Sequence, residues 1–316
     1  MDTIERHRIL DSDNYLAGFD SGEVQLLTTE DGPFGGCCEH IRLGGLEIAW
    51  GQEQLARVAF IALRRERTVF SFPTNEDSTI TLCGEPVRFG QLAWHPPGAK
   101  FHERTMPGGR WGRIHVGSEA LATIAKGEEN ESQNGEPLQY IVVPDPGLHH
   151  ALLSTFNGAI AQHQLATSDT LSQANAIQTE PELLERLMSC LRAARFLNPT
   201  MANRRRHSTV MLFQRHLADW SERPIHIRDI CATLAVPSRT LEDYCEVELG
   251  TAPYRYLRLY RLAQVRRALL SATPATASVT AVSRRYGFLD LGRFAATYRA
   301  AFNELPSDTL AHAPRG

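Results

Sequence analysis

No apolar run in this 316-residue chain approaches the ~20 residues that a bilayer-spanning helix requires. The most apolar stretch, Val58 to Leu63, has the length of a buried strand. The start, MDTIERHRIL, has no apolar signal core, so no secretory leader is expected. Six cysteines stand at 37, 38, 83, 190, 231 and 245, with no C-x-x-C pair and neither a zinc motif nor a disulfide framework in their spacing. The vicinal pair Cys37–Cys38 reads as two thiols on opposite faces of one strand, with a redox or metal pair as the alternative. Nucleophile elbow, P-loop and dinucleotide fingerprint are all missing. A net charge of −3 with 42% hydrophobic residues is too balanced for a chain that stays unfolded. These absences exclude membrane spans, secreted disulfide scaffolds and low-complexity chains. They leave two folded domains, expected in a reducing cytoplasm.

The small net charge hides an asymmetry. Residues 204–316 hold 17 Arg and no Lys against 10 acidic residues, a balance of +7, whereas residues 1–203 carry −10. A basic terminal third on an acidic body points to a polyanionic partner for that third.

Short alternating runs fill the first 120 or so residues. Cys38 to Trp50 alternates around Gly44–Gly45, whose freedom at positive φ suits a tight hairpin. Further runs at 55–63, 68–72, 79–84, 87–94 and 111–116 predict an antiparallel sandwich or barrel. The polar segment 126–137 is expected to be an exposed loop. Helical spacing follows at 149–164 and 181–196, where Leu184, Leu187, Met188 and Leu191 share one face. That face either packs on its own domain or pairs with a second subunit. Residues 198–206 read as a linker.

From 208 onward the pattern is helical. A helix over 208–220, with Ser208 as its cap, precedes a short helix in HIRDICATLAV, with Ile227, Ile230, Cys231 and Leu234 inward. Pro237–Ser238 breaks it, and a second helix runs to about Leu249, with Gly250 suited to a left-handed stop. This is a helix-turn-helix, whose second helix can enter a DNA major groove. The layout recurs at 279–288 and 291–302, with Asp290 as a cap and Asn303 at the stop. Between the units, residues 253–270 form a helix of roughly 27 Å, enough to set two recognition helices about one DNA turn, ~34 Å, apart. Tyr256, Leu257, Leu259, Tyr260, Leu262, Ala263 and Leu269 give it apolar surface, and Arg255, Arg258, Arg261, Arg266 and Arg267 give it charge.

The stretches DICATLAVPSRTLEDY, LGTAPYRYLRLYRLAQVRRALL and YGFLDLGRFAATYRAAFNELPSDTL resemble the AraC/XylS family of bacterial transcription regulators, over about 208–310. The resemblance implies an α+β multidomain chain. Residues 1–145 would be an antiparallel cupin-like β barrel for an effector, 146–206 a helical dimerisation segment and linker, and 207–316 an all-α domain of two helix-turn-helix units joined by a long helix. It implies a regulator rather than an enzyme, cytoplasmic and on the nucleoid when bound. Its partners would be double-stranded DNA, a second copy of the chain, RNA polymerase and a small-molecule effector, with no cofactor or metal. On this reading the DNA contacts come from Ser238, Arg239, Thr240, Glu242, Asp243 and Glu246 in the first unit. In the second they come from Leu291, Gly292, Arg293, Ala296 and Arg299.

The first recognition helix departs from the family's pattern. Cys245 stands where an aromatic is usual, Asp243 where a basic residue is common, and Glu242, Asp243, Glu246 and Glu248 against Arg239 give it −3. Acidic side chains repel phosphate but can accept from cytosine N4. In the second helix Arg293 is the best direct reader, of guanine O6 and N7, with a phosphate contact as the alternative. Asn303 replaces a usual Gly.

The N-terminal residues admit two other chemistries. His95, His102, His115 and Glu103 carry the residue types of a cupin metal site, and so of a metalloenzyme with a helical appendage, but lack a compact His-x-His. Trp94, Phe101, His102 and Trp111 either line an effector pocket or pack in the core.

Overall fold

The computed structural model describes residues 5–9, 22–30, 32, 35–117, 140–165, 169–219, 226–273 and 277–311. Thirteen described strands form two open antiparallel sheets. In chain order they are β1 Glu5–Ile9, β2 Gly22–Thr28, β3 Gly36–Leu43, β4 Leu46–Glu53, β5 Arg57–Leu63, β6 Arg67–Pro73, β7 Thr79–Leu82, β8 Glu85–Arg88, β9 Leu92–His95, β10 Lys100–Thr105, β11 Arg110–Gly117, β12 Tyr140–Val143 and β13 Arg195–Leu197. The larger sheet runs β1-β3-β4-β11-β6-β9-β12-β13 and the smaller β2-β5-β10-β7-β8. Among the described residues the strands do not close into the expected barrel; the arrangement is two sheets face to face.

Alternation along the strands builds the layers. Ile48, Phe70, Ile114 and Val116 point from the larger sheet toward two helices, α1 Pro146–Leu165 and α2 Asp169–Arg192. Val69, Ala93 and Trp111 point the other way and meet Leu26, Ile61 and Phe101 of the smaller sheet. The opposite face of the smaller sheet is also covered: Leu27 and Val58 share a core with the C-terminal helices. The smaller sheet is thus buried on both faces, which requires apolar or paired polar residues throughout it.

Several expectations hold. Gly44 takes φ 66° in the hairpin between β3 and β4, where Leu43 faces Leu46. Cys37 is exposed and Cys38 buried, the opposite faces expected of neighbouring strand residues. Others are corrected. The run 87–94 is not one strand: Gly90 at φ 90° turns the chain, sending β8 to the smaller sheet and β9 to the larger. The C-terminal end of the 181–196 run is strand, since Arg195–Leu197 pairs with β12. The expected linker is helical from Met201, within α3 Met201–Asp219, so Ser208 lies inside a helix and caps nothing. Its first turns are held to the smaller sheet, where Asn203 Nδ2 donates to Glu85 Oε1 at 2.6 Å and Arg206 Nη2 to the same oxygen at 3.0 Å. Segment 126–137 lies outside the described residues.

Leu187 and Leu191 are buried, with Leu184 beside them, in the core beneath the larger sheet, and Met188 is buried as well. The face considered for a second subunit is therefore used within the chain. Glu180 Oε1 adds a tie by accepting from the Gly45 amide at 2.7 Å.

A buried ionic cluster sits between the sheets. Arg57 Nε donates to Glu53 Oε1 at 3.0 Å, Arg57 Nη1 approaches Glu103 Oε1 at 3.3 Å, and Arg113 also binds Glu103. Burial would raise the Glu103 carboxyl, but Arg113 and Arg57 outweigh it and hold it at about 2. Removing one member of such a cluster strands buried charge, typically at 3–5 kcal/mol. Glu103→Ala should therefore lower the unfolding free energy by about 3–5 kcal/mol in urea titration; a loss below ~1 kcal/mol would show that the cluster is not buried in solution.

Candidate nucleic-acid interface

The C-terminal helices are α3, then α4 Ile227–Leu234, α5 Ser238–Leu249, α6 Pro253–Leu270, α7 Val279–Arg285, α8 Leu291–Phe302 and α9 Pro306–Ala311. α4 and α5 form the first helix-turn-helix. Ala235 turns the chain between them at φ 53°, and Gly250 ends α5 at φ 71°. α7 and α8 form the second. Asp290 Oδ1 accepts from the Arg293 amide at 3.0 Å, and Asn303 ends α8 at φ 57°. α6 joins the units, and its two sides feed two cores. Tyr256, Leu257 and Tyr260 pack in the first unit, Leu262, Val265 and Leu269 in the second.

Buried residues fix which side of each recognition helix is free. In α5, Leu241, Cys245, Glu248 and Leu249 are buried, leaving Ser238, Arg239, Glu242, Asp243 and Glu246 exposed and Thr240 half-buried. In α8, Phe294, Tyr298 and Ala301 are buried, leaving Gly292, Arg293, Ala296 and Arg299 exposed and Leu291 half-buried. Each set of expected DNA contacts thus lies on one side of one helix. Cys245 occupies a core position rather than a base-facing one, which gives its departure from the family pattern a packing explanation.

Two charges counted on the C-terminal helices are buried. Glu248 is 0% exposed. It accepts the hydrogen bond of His207 Nδ1 at 2.7 Å, which leaves α5 one fewer negative charge toward DNA. Arg266 is 7% exposed; it pairs with Glu304 and lies over the Phe302 ring at 4.8 Å, so it braces the second unit. On the outer face of α5, Arg239 Nε stands 3.2 Å from Asp243 Oδ1, a pair exposed enough to open when DNA offers a better partner.

Between α6 and α8 lies a groove of about 250 Å³, lined by Tyr254, Arg258, Arg261, Leu289 and Arg293 among others. Three guanidinium groups and exposed apolar side chains meet there, beside the free side of α8. Arg293 therefore stands within a basic patch rather than alone.

The four residues expected to line an effector pocket lie in three packing environments. Trp94 packs near Phe70, Tyr140 and Phe196 on the helix side of the larger sheet. Phe101 stacks on His95 between the sheets at 3.9 Å. Trp111 Nε1 donates to Glu53 Oε1 at 2.7 Å, with Arg113 over its ring. His102, one residue after Phe101, faces the other side of its strand and lies near Tyr256 of α6. Of the histidine–carboxylate set, His95, Glu103 and His115 face the layer between the sheets and His102 faces away from it. His95 Nε2 lies 3.1 Å from Ser71 Oγ, with its basicity pushed down to about 3 by burial. Burial also lowers His115, and Glu103 is held by its arginines.

The C-terminal part of the chain is similar in sequence to known proteins. Residues 230–312 match a family described as a helix-turn-helix domain. The XylDLEGF operon transcriptional activator 2 of Pseudomonas putida is 42% identical over 89 residues, 28% of this chain and 57% of that protein. The probable thc operon regulatory protein of Rhodococcus erythropolis is 34% identical over 99 residues, 31% of this chain and 30% of that protein. A solved structure of a probable AraC family transcriptional regulator from Rhodopseudomonas palustris is 32% identical, covering 33% of this chain and 94% of that one, with a TM-score of 0.30. The chain thus matches less than two thirds of the length of these curated relatives. The C-terminal part of this chain is a helix-turn-helix domain. It is a domain of the AraC/XylS family of transcription regulators. Among the described residues no helix is long and apolar enough to cross a membrane.

The division between bracing and free arginines is testable. Arg266→Ala should cost more than ~1 kcal/mol of stability, whereas exposed Arg258→Ala should stay within ~0.5 kcal/mol, both read by chemical denaturation. Equal effects would contradict the assignment.

Proposed function

We propose that this chain is a sequence-specific, double-stranded-DNA-binding transcription regulator of the AraC/XylS type whose N-terminal part responds to a small-molecule effector. The observation that carries the reading is the pair of recognition helices, each with its expected contact residues on one solvent-facing side. In this reading residues 1–145 form a cupin-like regulatory unit, 146–206 a helical segment and 207–316 the DNA-binding unit. A second copy of the chain and RNA polymerase are its protein partners, and its place is the cytoplasm. The curated relatives' printed names, operon activators and an operon regulator, support the class.

A second reading keeps the regulator and drops the effector. Support for it comes from the packing of these aromatics: Trp94 lies on the helix side of the larger sheet, Phe101 and Trp111 between the sheets, and His102 on the far side of the smaller sheet. Thermal melts against a metabolite panel separate the two, because a ligand that binds only the folded state raises Tm.

Arg293 reads bases in this proposal, and Arg258 holds phosphate. Arg293→Ala should cost about 1–3 kcal/mol on the cognate operator and relax preference at one base pair. Arg258→Ala should weaken all duplexes alike and lower the salt slope by about one. Binding titrations on operator and scrambled duplexes at several salt concentrations read both. Uniform weakening by Arg293→Ala would reassign it to phosphate, and no affinity of the intact chain for any duplex would overturn the function.

A further inference from the structure

Three parts of the chain meet behind α5. The turn between β7 and β8 brings Cys83, strand β10 brings His102, α3 brings His207 and α5 itself brings Glu248. Ligand atoms of Cys83, His207 and Glu248 all lie within 4.8 Å of one another. His102 Nδ1 stands 3.6 Å from Glu248 Oε1. We propose that Cys83, His207 and Glu248, with His102 as the fourth ligand, form a binding site for a zinc ion.

Residue type fits the ion. Thiolate, imidazole and carboxylate are the donors that zinc takes, in a tetrahedron with Zn–S near 2.3 Å and Zn–N and Zn–O near 2.0–2.2 Å. Those bond lengths place neighbouring donor atoms about 3.3–3.8 Å apart, so Cys83, His207 and Glu248 need only a small contraction and the parting of His207 from Glu248, while His102 must swing in from its place beside Glu248. A thiolate and a carboxylate also match the ion's two positive charges. On binding, the thiol proton leaves Cys83, as does any proton His207 holds, and the sulfur and nitrogen lone pairs form the bonds to the metal.

Independent features support the placement. The turn between β7 and β8 has two residues, both left-handed: Cys83 at φ 49° and Gly84 at φ 83°. Such turns favour Asn-Gly, so a cysteine at the first position is held there against its backbone preference. A Cβ on Gly84 would come within 2.9 Å of Arg206 and of Val247, so the turn lies hard against α5. Among the described residues, Glu248 Oε2 and His102 Nε2 are buried with no hydrogen-bond partner, and His102 Nδ1 has only its long approach to Glu248 Oε1. Native interiors rarely leave such atoms unserved, and a metal would satisfy the carboxylate and one imidazole nitrogen at once. His207 is partly open to solvent, which gives an ion a way in. Bound there, zinc would tie the end of the first recognition helix to the smaller sheet.

The test uses the full chain, stripped with chelator and titrated with Zn²⁺, and with Co²⁺ as a spectroscopic probe. One ion per chain should bind, Co²⁺ should show a thiolate charge-transfer band with the intense visible bands of a tetrahedral site, and Zn²⁺ should raise Tm. Cys83→Asn retains a residue suited to the left-handed turn; it should abolish the thiolate band and weaken Zn²⁺ binding at least tenfold. His207→Gln should weaken binding too, while Cys37→Ser, at an exposed thiol, should change nothing. Circular dichroism checks that each variant is folded. No stoichiometric ion, or a band and affinity equal in the wild type, Cys83→Asn and His207→Gln, would overturn the site.

Discussion

The structure depends on the outer face of the smaller sheet being covered by the first helix-turn-helix unit. Leu27 and Val58 supply the apolar part of that contact, against Phe213, Leu241 and Tyr256 among others. Polar groups in the same contact are paired. Gln214 Nε2 donates to Gln25 Oε1 at 2.9 Å, and the Tyr256 hydroxyl donates to Gln214 Oε1 at 2.7 Å, all buried. Unpaired, each would cost about 1–3 kcal/mol, so the contact tolerates few alternative registers. It sets the direction of α5: the terminal turn faces the sheet, and the opening turns face solvent. Arg104 reinforces this at the helix end, where its Nη1 donates to the Glu246 carbonyl at 3.3 Å and favours the negative end of the helix dipole.

In the proposed function this arrangement joins regulation to recognition in space. A change in β7, β8 or β10 reaches the first recognition helix through packed side chains, without a long relay. The second unit is less enclosed, with the Gly32 amide donating to the Ala300 carbonyl at 3.3 Å. For an effector to matter, it must bind the docked and released forms with different affinity. The two units therefore contribute differently: the first is positioned by the N-terminal part, while the second carries the basic groove.

Features written in local sequence were legible. Gly250, Asn303 and Asp290 marked helix ends because the left-handed stop and the side-chain cap are chemistry of one or two residues. Gly44–Gly45 marked a hairpin for the same reason. What depended on distant partners was not legible. The helix starting at Met201 looked like a linker because Arg206 and Asn203 find their partner, Glu85, over a hundred residues away. Strand β10 alternates Phe101, His102 and Glu103 between two buried faces, so no single polar side announced it. Glu248 could have been found: it follows Leu241 by seven residues and Cys245 by three, the stripe that packs inward. Charge type alone had counted it in the helix's net charge. The aromatic quartet left two readings open because core and pocket use the same residues, and only their relative positions separate them.

The docking of sheet on helices is tested most directly by a double-mutant cycle between Gln25→Ala and Gln214→Ala, read as unfolding free energy in urea. Direct contact across the junction predicts a coupling of at least ~0.5 kcal/mol, because either substitution alone already removes the shared hydrogen bond. Strict additivity of the two losses, within ~0.3 kcal/mol, would show that the two glutamines do not meet in solution and would contradict the docked arrangement.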